Sequence, residues 1–350
     1  MKTLYFFCPF LFLILFACQK EKRPPFSQVP IYQENLSGFD ALKDSLQLIC
    51  QKPKGQMGIY IYDAQLDQSF SIAGDSLFPL ASVYKLPIAA SLLAAQEAGK
   101  LSLYDSIPLN LEDRRHSGCF MDWDSTGKTA FGPQIEELAH YMMRYSDNCA
   151  TDALLRQLGG PEYVQAQLKS WMVSDININR YLIEIFIDLA NRELPEDQSL
   201  WTYSRATQIL SSSPWSERKI ARRKFLWDRR DQGSPKAFVQ LLKGLDQEQW
   251  LNPQSSQWLR DCLLSCRTGS YFLPEVLPPN RKVAHKTGSL PGIYNDAGWI
   301  EREAGQRPLY YAVFLKNAFD RPKKERARIA AVMGQLLNFQ ALKATNHCLD

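Results

Sequence analysis

A chain of 350 residues, 45% hydrophobic and 22% charged, has the makeup of a globular protein with material for a large core. A net charge of +4, with no Lys/Arg block interleaved with aromatics, excludes an electrostatic footprint for nucleic acid. Four scattered histidines lack metal-ligand spacing, so no zinc and no other cofactor is implied.

Lys2 precedes an apolar run from Leu4 to Ala17, too short to span a bilayer and laid out as a secretory signal. The run ends Leu15-Phe16-Ala17-Cys18, the form of a bacterial lipoprotein signal in which Cys18 becomes the lipidated first residue. Phe16 is bulkier than that pattern usually accepts, and an ordinary signal cleaved nearby is the alternative. Residues 1–18 are therefore expected to be a signal and 19–36 a tether, with the protein exported to the periplasm and held on a bacterial membrane by lipid. Export permits disulfides. Cys50, Cys119, Cys149, Cys262, Cys266 and Cys348 form no CxxC pair; they read mostly as small core residues, with no bridge assigned.

Ser37-Gly38-Phe39-Asp40 predicts a capping box opening a helix with Leu42, Leu46 and Ile49 on one face. Gly58–Asp63 and Ser69–Ala73 predict a strand pair. An apolar helix is expected from Ser82 to Ala98, stopped by Gly99. Further helices are expected after Pro133, after Ser146 as far as Gly159-Gly160, from Pro161, over Asn179–Asn191, from Ser234-Pro235 and from Asn252-Pro253. The basic stretch Arg218–Arg230 reads as a solvated helix face. Three strands follow, Lys282–Thr287, Tyr294–Ile300 and Leu309–Leu315, then a closing helix over Pro322–Leu342. The expected class is α/β (α+β): one antiparallel sheet flanked by helices and built from both chain ends, about 37–80 and 267–350. An all-helical lobe, about 81–266, is inserted between them. A substrate cleft is expected between the lobes.

Three short motifs carry the chemistry. Ser82-Val83-Tyr84-Lys85 places a hydroxyl one helical turn from an amine. A serine hydroxyl is a poor nucleophile until a base takes its proton. An amine serves as that base when burial and a second cation, here Lys286, lower its pKa. Ser125-Thr126-Gly127-Lys128 and Ser216-Glu217-Arg218-Lys219 share the spacing but lie in polar, Gly-containing or highly charged surroundings. Ser146-Asp147-Asn148 reads either as a helix cap or as a proton relay with an amide ligand. Lys286-Thr287-Gly288, on a predicted strand, reads either as a guarded edge or as an anion-binding strand with close backbone approach.

In this order the motifs resemble those of class A β-lactamases and penicillin-binding proteins, from about Phe39 to the C-terminal helix. Leu158-Gly159-Gly160-Pro161, Ser234-Pro235-Lys236-Ala237 and Arg267-Thr268-Gly269 support the resemblance. His285 and Asn295-Asp296-Ala297-Gly298 point to the branch common in Bacteroidetes. The resemblance implies a serine acyl-enzyme mechanism: Ser82 as nucleophile, Lys85 as base or co-base, Ser146 as relay and Asn148 as substrate-amide ligand. Lys286 and Thr287 would hold the substrate carboxylate, and the backbone N–H groups of Ser82 and Ser289 would form the oxyanion hole. Class A enzymes release the acyl group with a glutamate-activated water from an ExxLN-type loop, and this chain has no such motif. Glu184 and Asp188 are the candidate acids, with solvated-face positions as the alternative. The expected protein is a monomer acting on a small β-lactam or a peptidoglycan peptide. It is a β-lactamase-like hydrolase, a D-Ala-D-Ala peptidase or other serine amidase or esterase, or a lipoprotein binding module that lost turnover.

Overall fold

Leu309-Tyr310-Tyr311-Ala312-Val313-Phe314-Leu315 has no charged side chain, and it becomes the central strand of the protein. The computed structural model describes residues 38–51, 55–108, 132–193, 214–273, 281–302, 306–319 and 322–346, with 196, 208 and 212. The predicted signal, tether and Ser37 lie outside these residues. Among the described residues, no helix is long and apolar enough to cross a membrane.

The strands are β1 (Gln56–Asp63), β2 (Gln68–Ile72), β3 (Phe78–Pro79), β4 (Gln232–Gly233), β5 (Lys282–Leu290), β6 (Ile293–Glu301) and β7 (Leu309–Lys316). The five-stranded sheet runs β2-β1-β7-β6-β5 and is antiparallel throughout, so both chain ends build it. The register Ile61↔Tyr311 and Ala297↔Ala312 puts β7 between β1 and β6. Side chains alternate across a strand. Leu309, Tyr311, Val313 and Leu315 thus join one core, with Phe39, Leu42 and Leu46 of α1 (Phe39–Ile49) and Val332 and Leu336 of the C-terminal helix. Tyr310, Ala312 and Phe314 join the other, larger core. Removing a buried side chain such as Leu46 or Leu336 costs about 2–5 kcal/mol.

The helices between are α2 (Lys85–Glu97), α3 (Ile135–Arg144), α4 (Asn148–Gln157), α5 (Pro161–Ser170), α6 (Leu182–Ala190), α7 (Trp215–Trp227), α8 (Pro235–Asp246) and α9 (Pro253–Leu264); α10 (Pro322–Asn346) closes the chain. Helices α5, α8 and α9 each begin with Pro in the first turn, where the missing N–H is harmless. Helix α8 packs on β1, β6 and β7, and α9 on β5, so the inserted stretch shares its core with the sheet.

Two expectations are corrected. Helix α1 is capped by Gly38 without a side-chain hydrogen bond, so no capping box forms there. The helix expected over Asn179–Asn191 is shorter, and Asn191 ends it in the left-handed conformation. Cys149, whose pairing the sequence leaves open, is disulfide-bonded. The free cysteines among the described residues are Cys50, Cys262 and Cys266.

Candidate active site

The helix expected to start at Ser82 is two pieces. Ala81–Tyr84 form a turn of 3₁₀-helix, and α2 begins at Lys85. Pro87 explains the break: it has no N–H with which to continue an α-helical ladder back through Val83. The consequence favours chemistry, because side chains three apart eclipse in a 3₁₀ turn, which sets Ser82 and Lys85 on one side. The corner is tight. Ala81 holds φ 48°, in the left-handed region. Asn295 Nδ2 donates to the carbonyls of Pro79 and Leu80, both at 2.8 Å, and pins the approach from behind.

Lys85 is fully buried. Its Nζ donates to Ser146 O (2.6 Å), Ser146 Oγ (3.0 Å) and Asn148 Oδ1 (2.8 Å). Burial first, and the charge of Lys286 second, hold its amine well below the lysine range, against Asp147 and Asp152. That is the condition for a lysine base at neutral pH. Lys286, also fully buried, donates to Ser146 Oγ (3.1 Å) and to Thr287 O (3.1 Å).

Ser146 therefore accepts from both lysines. A hydroxyl has two acceptor sites and one donor. With both acceptor sites engaged, its own proton is directed elsewhere, as a relay to a leaving group requires. Ser146 holds φ 61°, the kind of strain that clusters at functional sites. Asp147 restrains it from the next position: its carboxylate caps α4 through Ala150 N (2.8 Å), and its N–H bonds Tyr141 O (3.1 Å). The middle residue of this motif is the helix cap, and its neighbours hold the lysine.

Gly288 brings β5 against Ser82. A Cβ there would stand 2.7 Å from Leu80 O and 2.9 Å from Ser82 N, so only Gly permits the approach. Thr287 Oγ1 lies 2.6 Å from Thr268 Oγ1, and Ser289 Oγ 2.9 Å from Tyr271 OH. β5 is the edge of the sheet, with one side unpaired among the described strands, as a strand that takes an extended substrate must be.

Glu184 and Asp188 have other partners. Glu184 Oε2 accepts from Tyr181 N (2.7 Å) and caps its own helix; burial raises its pKa. Asp188 pairs with Arg180 and Arg230. Sequence reasoning missed Asp152, which accepts from Leu182 N (2.7 Å) and Ile183 N (3.0 Å) and ties the start of α6 to α4. It also missed that Arg180 and Asp231 close the long segment between them: Nε and Oδ2 stand 2.6 Å apart, both side chains buried. Asp152 carries no motif signal, and a pairing across 51 residues has no local one.

Among the described residues, no group of three or more His, Cys, Asp or Glu side chains could hold a metal. An open groove between α5 and residues 172–179 contains none of the motif residues.

This arrangement of a lysine-flanked serine under a sheet edge is that of a serine acyltransferase or hydrolase. The profile of the β-lactamase enzyme family matches residues 41–339, and the chain belongs to that family. It is 24% identical over 308 residues to the extended-spectrum β-lactamase PER-1 of Pseudomonas aeruginosa, covering 86% of this chain and 88% of that one. It is 26% identical over 289 residues to β-lactamase VEB-1 of the same organism, covering 80% and 83%. The structure of an ancestral class A β-lactamase superposes with a TM-score of 0.67 at 26% identity, covering 85% of this chain and 99% of that one. The antiparallel sheet flanked by helices is thus the class A β-lactamase fold.

Proposed function

We propose that the protein is a serine β-lactamase acting through an acyl-enzyme on Ser82. The observation that carries this is Ser146 Oγ, 3.0 Å from the Lys85 amine and 3.1 Å from the Lys286 amine, which couples base, relay and anion site in one cluster. Ser82 attacks the lactam carbonyl as Lys85 takes its proton. Ser146 passes a proton to the leaving nitrogen, and the Ser82 and Ser289 N–H groups receive the oxyanion. Asn148 meets the substrate amide, and Lys286 with Thr287 holds the carboxylate.

A second reading, a penicillin-binding-protein-like enzyme that deacylates slowly, is favoured by one observation: Glu184 and Asp188 are both committed to helix and ion-pair partners. Turnover of a chromogenic cephalosporin, followed by colour and by intact mass, separates the readings. Continuous colour without a lasting adduct supports the lactamase. A single-turnover burst with a persistent adduct on Ser82 supports the slow acyl-enzyme. Neither colour nor adduct supports an esterase or a non-catalytic binding module and overturns both. If Glu184 activates the deacylating water, Glu184→Gln lengthens the adduct lifetime without slowing its formation; an unchanged lifetime removes it from the mechanism.

The proposal includes export to the periplasm and a lipid anchor at Cys18, supported by the signal pattern of residues 1–18. Cys18→Ser then moves the protein from the membrane to the soluble fraction. An unchanged distribution sinks the anchor.

A further inference from the structure

Most of the basic stretch Arg218–Arg230 folds as α7, with one side turned outward. Ala221 and Phe225, one turn apart, are buried, and the Arg180 guanidinium stands 5.4 Å over the Phe225 ring. Arg222 leans on the Phe319 ring at 5.8 Å. These contacts fix which side of the helix meets solvent. Lys219, Ile220, Arg223, Lys224 and Trp227 make up the exposed stripe, spaced three and four apart so that they share a face.

Two properties separate this stripe from an ordinary solvated face. The first is apolar. Trp227 is 85% exposed and Ile220 54%, and they lie two turns apart, about 10 Å along the axis. Five large apolar side chains are exposed among the described residues, and two of them stand on this one stripe. The second is charge. Residues 215–227 carry five cations and one acid, a surplus as large as the net charge of +4 of the whole chain. The acid, Glu217, is held by Arg192 at 2.8 Å. Arg229 is exposed just beyond the helix. A soluble polyanion answers the cations but gains nothing from an exposed isoleucine and tryptophan. A bilayer with anionic headgroups answers both. The headgroups attract the cations, and the apolar side chains enter the boundary beneath them, where tryptophan is favoured.

We propose that the exposed stripe of α7 is a docking surface for an anionic lipid bilayer, with Ile220 and Trp227 inserted at headgroup level and Lys219, Arg223 and Lys224 against the headgroup phosphates. The opposite side of the helix keeps its packing, so docking needs no rearrangement of the fold. A basic surface contact by itself is weak and reversible. It orients the protein on the membrane rather than holding it there, a different task from the one proposed for a lipid at Cys18. The acyl-transfer reading plays no part in it.

The full chain is mixed with vesicles of phosphatidylglycerol and phosphatidylethanolamine whose acyl chains carry bromine, a short-range quencher of tryptophan. Quenching should appear, and Trp227→Phe should remove it, which identifies the ring among the eight tryptophans of the chain. Phosphatidylcholine in place of phosphatidylglycerol, or salt at about 0.5 M, should abolish it. A lipid at Cys18 would hold the chain on both vesicle types alike, so the difference between them reads the helix alone. Arg223→Gln with Lys224→Gln should lower the ratio of quenched to unquenched Trp227 about 25-fold at fixed lipid, about fivefold for each charge lost. No quenching of Trp227 in anionic vesicles, equal quenching in both vesicle types, or a Gln variant that behaves as wild type overturns the proposal. Trp227 that becomes shielded from acrylamide without vesicles, as protein concentration rises, assigns the face to a second copy of the chain and overturns it too. The comparison of the two vesicle types uses wild-type protein, so it decides even where a variant does not fold.

Discussion

Ser146 is the residue on which the chemistry converges, because a single oxygen receives both buried amines. Ser146→Ala removes the relay proton and leaves the two amines without their shared acceptor; acylation should slow by about 10²–10⁴-fold, read from the rate of adduct formation. Lys85 sets the acid side of the pH profile. Its amine must be neutral to accept the Ser82 proton, so kcat/KM should fall as pH drops through its lowered pKa. An acid limb that persists unchanged in a Lys85→Ala variant with residual activity would refute the assignment. Ser82→Ala should abolish the adduct, whereas Ser216→Ala should leave it intact. Ser216 is exposed on α7, and its partner at the same spacing, Lys219, is exposed too. Local apolar context distinguished Ser82 in the sequence, since only an amine that becomes buried loses its proton near neutral pH.

Helix starts are the best-read elements, because Pro at the first turn and a side-chain cap act within a few residues. Ser234 caps α8 through Ala237 N (3.1 Å), and Asn252 caps α9 through Ser255 N (2.9 Å). Helix α6 differs. Its first N–H groups are satisfied from another helix, by Asp152 of α4. Asp152→Ala leaves two buried donors without a partner and should cost about 1–3 kcal/mol for each, measured by urea unfolding. Asp152→Asn keeps an acceptor oxygen and should cost less; an Ala variant as stable as wild type would show that the tie is idle. The break of the helix at Ser82 into a 3₁₀ turn and α2 was written in Pro87, whose effect falls on the turn before it.

At the scale of the whole molecule, one buried ion pair closes the long segment that separates α6 from α8. Arg180 also bonds Asp188 and lies near Asp228, and its backbone N–H and that of Asn179 bond Asp231 Oδ1. Arg180→Met leaves Asp231 buried without its cation and should cost about 3–5 kcal/mol. Asp188, partly exposed, contributes far less, so Asp188→Ala should stay within about 1 kcal/mol. Both are read from urea midpoints, and equal midpoints for the two variants would reject the ranking.

Motif order, strand alternation and first-turn prolines were decided along the chain, because each acts between residues a turn or a pleat apart. They gave the sheet from both ends, the helices between, and the serine with its lysine. The convergence of Lys85 and Lys286 on Ser146, the pinning of α6 by Asp152 and the closure by Arg180 and Asp231 were decided only by tertiary structure. Each joins groups from different elements, and burial, which sets their charge, is a property of the packed molecule.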